Sequence, residues 1–138
     1  MHKDVALIIF YNDDKILLQD RRNIEHSFAD WGFFGGRIEA GETPEEAVVR
    51  ETKEELSFDL KAYTFVKQSH HTYKDTTCTA FVFVAPCPEL TEFEQLEGQG
   101  MKLVTEKEAL KMNMVPDDFG IIKYAFEFLR AGKNKLGK

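Results

Sequence analysis

Gly36-Arg37-Ile38-Glu39-Ala40-Gly41-Glu42-Thr43-Pro44-Glu45-Glu46-Ala47-Val48-Val49-Arg50-Glu51-Thr52-Lys53-Glu54-Glu55-Leu56-Ser57-Phe58 is the stretch from which the rest of the chain can be read. It predicts a helix over residues 43–56. Thr43 can cap the first turn, Pro44 suits a position whose N–H has no helical partner, and Thr43-x-x-Glu46 is a capping box. At about 100° per residue, Val48, Val49, Thr52 and Leu56 share one arc and should face a core. Glu51, Glu54 and Glu55 share another arc, with Arg50 at its margin. Carboxylates so placed repel by about a few tenths of a kcal/mol per pair, and the helix dipole disfavours negative charge in the second half of a helix. Two readings remain open: a solvated acidic face loosely paired with Arg50 and Lys53, or a site for a hard cation. Oxygen-only ligands fit Mg²⁺ or Mn²⁺, which keep waters and share themselves with phosphate oxygens.

Outward from this helix, residues 4–11 read as a buried strand, Asn12-Asp13-Asp14 as a turn and residues 15–20 as a second strand. Residues 24–30 read as a loop, and the Trp/Phe/Gly stretch 31–36 leads into the helix. Residues 57–69 and 76–85 are β-rich and flank a polar connection, with Pro86-Cys87-Pro88 ending the second run. Residues 101–104 predict a short strand and 105–111 a short helix. The last helix follows Pro116, with Ile121, Ile122, Ala125, Phe128 and Leu129 on one stripe and Gly132 as its stop. No repeat or linker divides the 138 residues, which predict one α/β domain, mostly β in the middle with a helix at each side.

Composition narrows the function. The chain is 43% hydrophobic with twelve Phe, enough for a core, and its mean hydropathy is −0.37. Its net charge is −6 and its pI near 5.2, which argues against binding a nucleic-acid polymer by its backbone. A small phosphorylated ligand stays admissible, because one metal ion reverses the sign of a site. The acid is localised: residues 35–60 carry eight acids against three bases, the remainder sixteen against fifteen. The longest apolar run, residues 5–10, is too short to span a bilayer and lacks a cleavage site, so no membrane partner is expected. Cys78 and Cys87 form no CxxC pair and read as reduced thiols of a cytoplasmic protein. His70 and His71 should point to opposite faces of a strand, a poor metal site.

Gly36, five residues, Glu42, seven residues, then Arg50-Glu51-Thr52-Lys53-Glu54-Glu55-Leu56-Ser57-Phe58 resembles the box of the Nudix hydrolase superfamily. The match spans 23 residues and keeps every charged position. Thr52 stands where an aliphatic residue is usual, and Ser57 where a glycine follows the helix. The resemblance implies an α/β/α sandwich with a mixed central sheet, in which a loop–helix–loop holds divalent metal, Mg²⁺ or alternatively Mn²⁺. By the same resemblance Glu51, Glu54 and Glu55 are metal ligands, Gly35 supplies a backbone ligand, Arg50 orients a box glutamate, and Glu39 is a further nearby acid. Such enzymes hydrolyse a diphosphate linked to a nucleoside or another group.

Arg21-Arg22, the stretch 31–36 and Glu97-Gly98-Gln99 are similar in order and spacing to the MutT-like branch, which acts on oxidised guanine nucleoside triphosphates. Phe34 departs from that branch's proline. The match implies substrate contacts for Arg21 and Arg22, and makes Glu97 a metal ligand or general base; Glu54 is the other candidate base. Val115-Pro116-Asp117-Asp118 stands where the branch reads its purine, which makes Asp118 a candidate base reader; the alternative is a pair of acids favouring a helix N-terminus. Phe28, Trp31 and Phe119 are candidates to stack on a base or to pack a core. The expected partner is a nucleoside di- or triphosphate derivative, 8-oxo-dGTP among them. ADP-ribose, nucleotide sugars, dinucleoside polyphosphates and a binding-only domain are the alternatives. A monomer or a homodimer is expected.

Overall fold

A computed structural model describes residues 1–24, 29–73 and 75–136. Phe28 and most of the loop expected over 24–30 lie outside the described residues. The order of elements is β1 (His2–Asn12), β2 (Lys15–Asp20), β3 (Trp31–Gly32), β4 (Phe34–Arg37), α1 (Pro44–Leu56), β5 (Thr64–Tyr73), β6 (Thr76–Pro86), β7 (Gly100–Thr105), α2 (Glu106–Ala109) and α3 (Asp118–Leu136).

The described strands form one mixed sheet along the path β3-β2-β1-β6-β5, with β4 on β1 and β7 on β2. β1 is its axis. On one side it pairs in parallel with β6, from His2 opposite Thr77 to Tyr11 opposite Pro86. On the other it pairs antiparallel with β4 over Val5–Ile8, and with β2 at the Asn12–Lys15 hairpin. Asp13, in the expected turn, takes a φ of 57°.

Period-two alternation splits the apolar residues between the two faces. Ala6, Ile8 and Phe10 of β1, Leu17 of β2 and Phe83 of β6 pack with Ala47, Val48 and Leu56 of α1. Ile9, Ile16, Leu18, Val82 and Val84 pack on the other face with Ile121, Ile122, Ala125 and Phe126 of α3. The result is the expected α/β/α sandwich. Val48 and Leu56 have no exposed area, and each contributes about 1.5–3 kcal/mol by burial.

The ends of α1 follow from local chemistry. Thr43 Oγ1 accepts from Glu46 N at 3.1 Å, and Glu46 Oε1 accepts from Thr43 N at 2.9 Å, completing the capping box. Thr52 is fully buried, and its hydroxyl donates to Val48 O at 2.7 Å, so the polar atom in the core is satisfied. Ser57 closes the helix at φ 53°, ψ 36°, donating its N–H to Lys53 O.

Four expectations change. Strand β5 starts at Thr64 rather than Ser57, because Ser57 is spent on the helix cap. Helix α2 is a single four-residue turn capped by Thr105, shorter than the 105–111 segment. Helix α3 continues past Gly132, where open space around the glycine sets no stop. Phe126, absent from the expected stripe, is buried there, whereas Phe128 and Leu129 are only partly covered.

A left-handed residue with a Cβ is strained, so Ser57→Gly should stabilise the fold by about 0.5–1 kcal/mol. Urea denaturation followed by circular dichroism measures this; an unchanged or lower midpoint would show that the Ser57 backbone carries no such strain.

Candidate active site

Arg50, in the middle of α1, turns toward the loop that precedes the helix. Nε and Nη2 of Arg50 donate to the two Glu42 oxygens at 2.7 and 2.9 Å. Nη1 donates to Glu51 Oε1 at 2.8 Å and Glu54 Oε2 at 3.1 Å, and Nη2 also donates to Arg37 O at 2.9 Å. Glu39 Oε1 stands 3.8 Å from Nε. The Arg50 hydrogen bond, helped by the Glu39 N–H, holds the Glu42 carboxyl down at about 2.

The three α1 glutamates do not share one environment. Glu54 is exposed, Glu51 mostly covered and Glu55 buried. On the helical wheel Glu55 stands next to Val48, so it belongs to the inward arc as much as to the acidic one. This corrects the expectation of a single outward carboxylate face. Glu55 Oε1 accepts from Gly35 N at 3.0 Å. Burial, followed by the nearby charges of Glu97 and Glu51, pushes the Glu55 carboxyl well above its ordinary range, against the pull of that N–H.

Two glycines make this approach possible. Gly35 has a φ of 139°, and a β-carbon on it would strike Ala6 O of the neighbouring strand. A β-carbon on Gly36 would occupy the place of the Glu51 carboxylate.

Glu97 lies on the segment between β6 and β7, near enough to Glu55 for its charge to act there. Glu94 N donates to Leu56 O at 2.8 Å and Leu96 N to Glu55 O at 2.7 Å, satisfying carbonyls that the end of α1 leaves open. Glu97 O accepts from Gln95 Nε2 at 2.9 Å and from Gln19 Nε2 at 3.0 Å. Gln19, fully buried, also accepts from Arg21 Nη1 at 2.5 Å. Nothing in the local pattern around Gln19 marks it as the link between Arg21 and the Glu97 loop; the contact depends on a segment 78 residues away.

The donor set fits a divalent metal by its chemistry: oxygen ligands throughout, charge crowded at Glu51, Glu55 and Glu97, and one carboxyl pushed toward protonation by burial and then by its acidic neighbours. Among the described residues no three His, Cys, Asp or Glu side chains already stand around one point. Glu51 and Glu54 are instead turned to Arg50.

A cavity of about 350 Å³ opens beside the cluster, lined among others by Arg21, Trp31, Gly35, Gly36, His71 and Asp118. Of the expected substrate contacts, the structure brings Arg21 and Asp118 here together. Arg22 is turned elsewhere: its guanidinium grips Asp20 through Nε and Nη2 and stands 5.8 Å over the Trp31 ring. That pairing holds the Asp20 carboxyl down at about 2.

Asp118 heads α3, yet its carboxyl forms no hydrogen bond to the described residues, so it is no side-chain cap. Burial, then the Asp117 charge, pushes it up to about 7, against the opposing pull of Arg21. Phe119 packs against the α3-side core, and Trp31 both packs there and lines the cavity.

Comparison with known proteins agrees with this architecture. The NUDIX domain model matches residues 1–125. The chain is 28% identical over 130 residues to the CTP pyrophosphohydrolase of Escherichia coli (strain K12), covering 94% of this chain and 95% of that one. It is 30% identical over 79 residues to the 8-oxo-dGTP diphosphatase of Proteus vulgaris, covering 57% of this chain and 70% of the other. The solution structure of the E. coli ORF135 protein superposes with a TM-score of 0.77 at 26% identity, over 96% of this chain and 93% of that one. The chain belongs to the Nudix family of hydrolases, which act on diphosphate bonds.

Proposed function

We propose that this hydrolase cleaves a nucleoside triphosphate between its α and β phosphates, releasing the nucleoside monophosphate and pyrophosphate. The observation that carries this reading is the shared wall at Gly35–Gly36. One side of it receives the Glu55 and Glu51 carboxylates, and the same two residues line the cavity. A base in the cavity would therefore extend its phosphates toward the carboxylates.

In this reading Glu51, Glu54, Glu55 and Glu97, with the carbonyl of Gly35, hold Mg²⁺ or Mn²⁺. When bound, the metal neutralises phosphate charge and makes a coordinated water more acidic. Glu54 or Glu97 takes the proton as water attacks phosphorus and the bridging P–O bond breaks. Arg50 keeps Glu51 and Glu54 oriented and Arg21 steadies the substrate, while Arg22 acts through Asp20 and Trp31. Two free thiols suit a reducing, cytoplasmic setting.

Asp118 is the proposed base reader. Near neutral pH its carboxyl is shared between a form that only accepts and a form that donates and accepts. The neutral form complements N4–H and N3 of cytosine, and equally N7–H and O6 of an 8-oxopurine. Both bases therefore stay as substrates of this reading, the cytosine one favoured by the named relative that spans nearly all of this chain.

Incubation with Mg²⁺ and a panel of nucleotides, nucleotide sugars and dinucleoside polyphosphates, with products resolved, tests the proposal. Free pyrophosphate from a triphosphate is expected; cleavage confined to ADP-ribose or sugar nucleotides would overturn it, and binding without turnover would leave a nucleotide-binding domain. Glu54→Gln should lower kcat roughly 10²-fold or more, and near-normal kcat would remove Glu54 from the mechanism. Asp118→Asn has a pH signature. The folded carboxyl titrates at about 7 against an ordinary 3.8, so its stability is full below 3.8 and is lost as pH rises through 7. Asp118→Asn should therefore raise the free energy of unfolding at pH 8 by on the order of a few kcal/mol, leave it nearly unchanged at pH 3.5, and still impair turnover. Destabilisation at pH 8 would make Asp118 a structural residue instead.

A further inference from the structure

Gln19 stands near the end of β2, fully buried, with its amide between two parts of the site. The amide oxygen accepts from Arg21 Nη1 at 2.5 Å, and Nε2 donates to Glu97 O at 3.0 Å. Only one setting of the amide serves both contacts, oxygen toward the guanidinium and nitrogen toward the carbonyl. No side chain of similar size but different chemistry does the same. Glu accepts from Arg21 but sets a carboxylate against the Glu97 carbonyl, and Leu does neither.

Both partners are brought to this amide by glycines. Arg21 lays its stem over Gly32, the residue opposite Gln19 on β3, where a β-carbon would come within 2.7 Å of Cδ. The Arg21 guanidinium has no other hydrogen-bond partner among the described residues, so most of its N–H groups remain for an anion in the cavity it lines. On the other side Gly98, at a φ of 86°, lets the loop close on β2: a β-carbon there would meet Gln19 Nε2 and Asp20 O, each at 2.9 Å. Gln95 Nε2 also reaches Glu97 O, at 2.9 Å, but from within the same loop. Among the described residues it is Gln19 that ties the Glu97 carbonyl to the sheet.

Resting on the reading of Arg21 as a substrate contact and of Glu97 as a metal ligand or base, we propose that Gln19 is a positioning residue for the reaction. One buried amide sets both where Arg21 meets the triphosphate and where Glu97 stands beside the α1 carboxylates. Capture of the substrate and placement of the acid thus share one anchor. Removing the amide loosens both, and replacing it by a carboxylate loosens only the loop.

Hydrogen exchange on the protein without substrate or metal tests the anchor. Gln19→Leu should speed exchange of the Leu96 and Gln99 amides, which donate to Glu55 O and Asp20 O, by about tenfold, while the amides of α1 and β1 keep their protection. Kinetics with Mg²⁺ and either CTP or 8-oxo-dGTP, whichever wild type cleaves faster, supply the second readout. Gln19→Leu should raise KM several-fold and lower kcat by roughly tenfold, as displacement of a substrate contact and of an acid implies. Gln19→Glu, which keeps a partner for Arg21, should lower kcat by a similar factor with KM near wild type, and it keeps the test open if Gln19→Leu does not fold. In double-mutant cycles the KM effect of Gln19→Leu should vanish on an Arg21→Met background, and its kcat effect on a Glu97→Gln background.

Faster exchange throughout the sheet would make Gln19 a packing residue and overturn the proposal. So would effects that simply add on both backgrounds, or a Gln19→Glu whose KM rises as far as that of Gln19→Leu; each leaves the triphosphatase reading standing. A wild type that releases pyrophosphate from no triphosphate, an Arg21→Met with unchanged KM or a Glu97→Gln with unchanged kcat would remove the reading of those residues and this inference together.

Discussion

Five N–H groups of one guanidinium make the acidic segment foldable. Arg50 uses all of them, on both oxygens of Glu42, on Glu51, on Glu54 and on the carbonyl of Arg37. The loop before α1 and the face of α1 are thereby locked to each other, and carboxylates that repel in pairs gain a common counter-charge. An ammonium in the same place would offer three donors and no planar fork. Beside this lock, Gly35 and Gly36 let the strand approach the helix where a side chain would exclude the Glu55 and Glu51 carboxylates.

Tension remains in the site even so. Glu55 and Asp118 are both held above their ordinary carboxyl range, chiefly by burial. Nε2 of His71, in the same region, has no hydrogen-bond partner among the described residues. Glu55, Asp118 and Nε2 of His71 are three polar groups that burial disfavours within one region of the fold.

What could be read from sequence followed the range of the interactions. Helix α1 was legible to its caps, because Thr43, Pro44 and Glu46 act over one turn. So were the strands β1 and β2, the turn between them and the set of box glutamates. The division of that set was not: Glu51, Glu54 and Glu55 are chemically alike, and only the contact with Gly35 shows which one is buried. Arg21 and Arg22 are adjacent and identical in type, yet beyond the end of β2 one pairs with Gln19 and reaches the cavity while the other turns to Asp20. Gln19 carried no local signal, and His71 only the strand alternation that sets it apart from His70. Gln19 is tied to the Glu97 loop and His71 to Asp117, so both depend on contacts with residues far along the chain.

The parallel register of β1 with β6 bears on how the chain comes to exist. His2 finds its place opposite Thr77, and Tyr11 opposite Pro86. During synthesis β1 must wait until Pro86 has left the ribosome before all of its parallel partner β6 is available. Until then the apolar run from Val5 to Phe10 travels uncovered on one side, with only β2 and β4 within reach. The acidic helix emerges in that interval, and it carries the Ala47, Val48 and Leu56 side chains that cover one face of β1 in the folded protein.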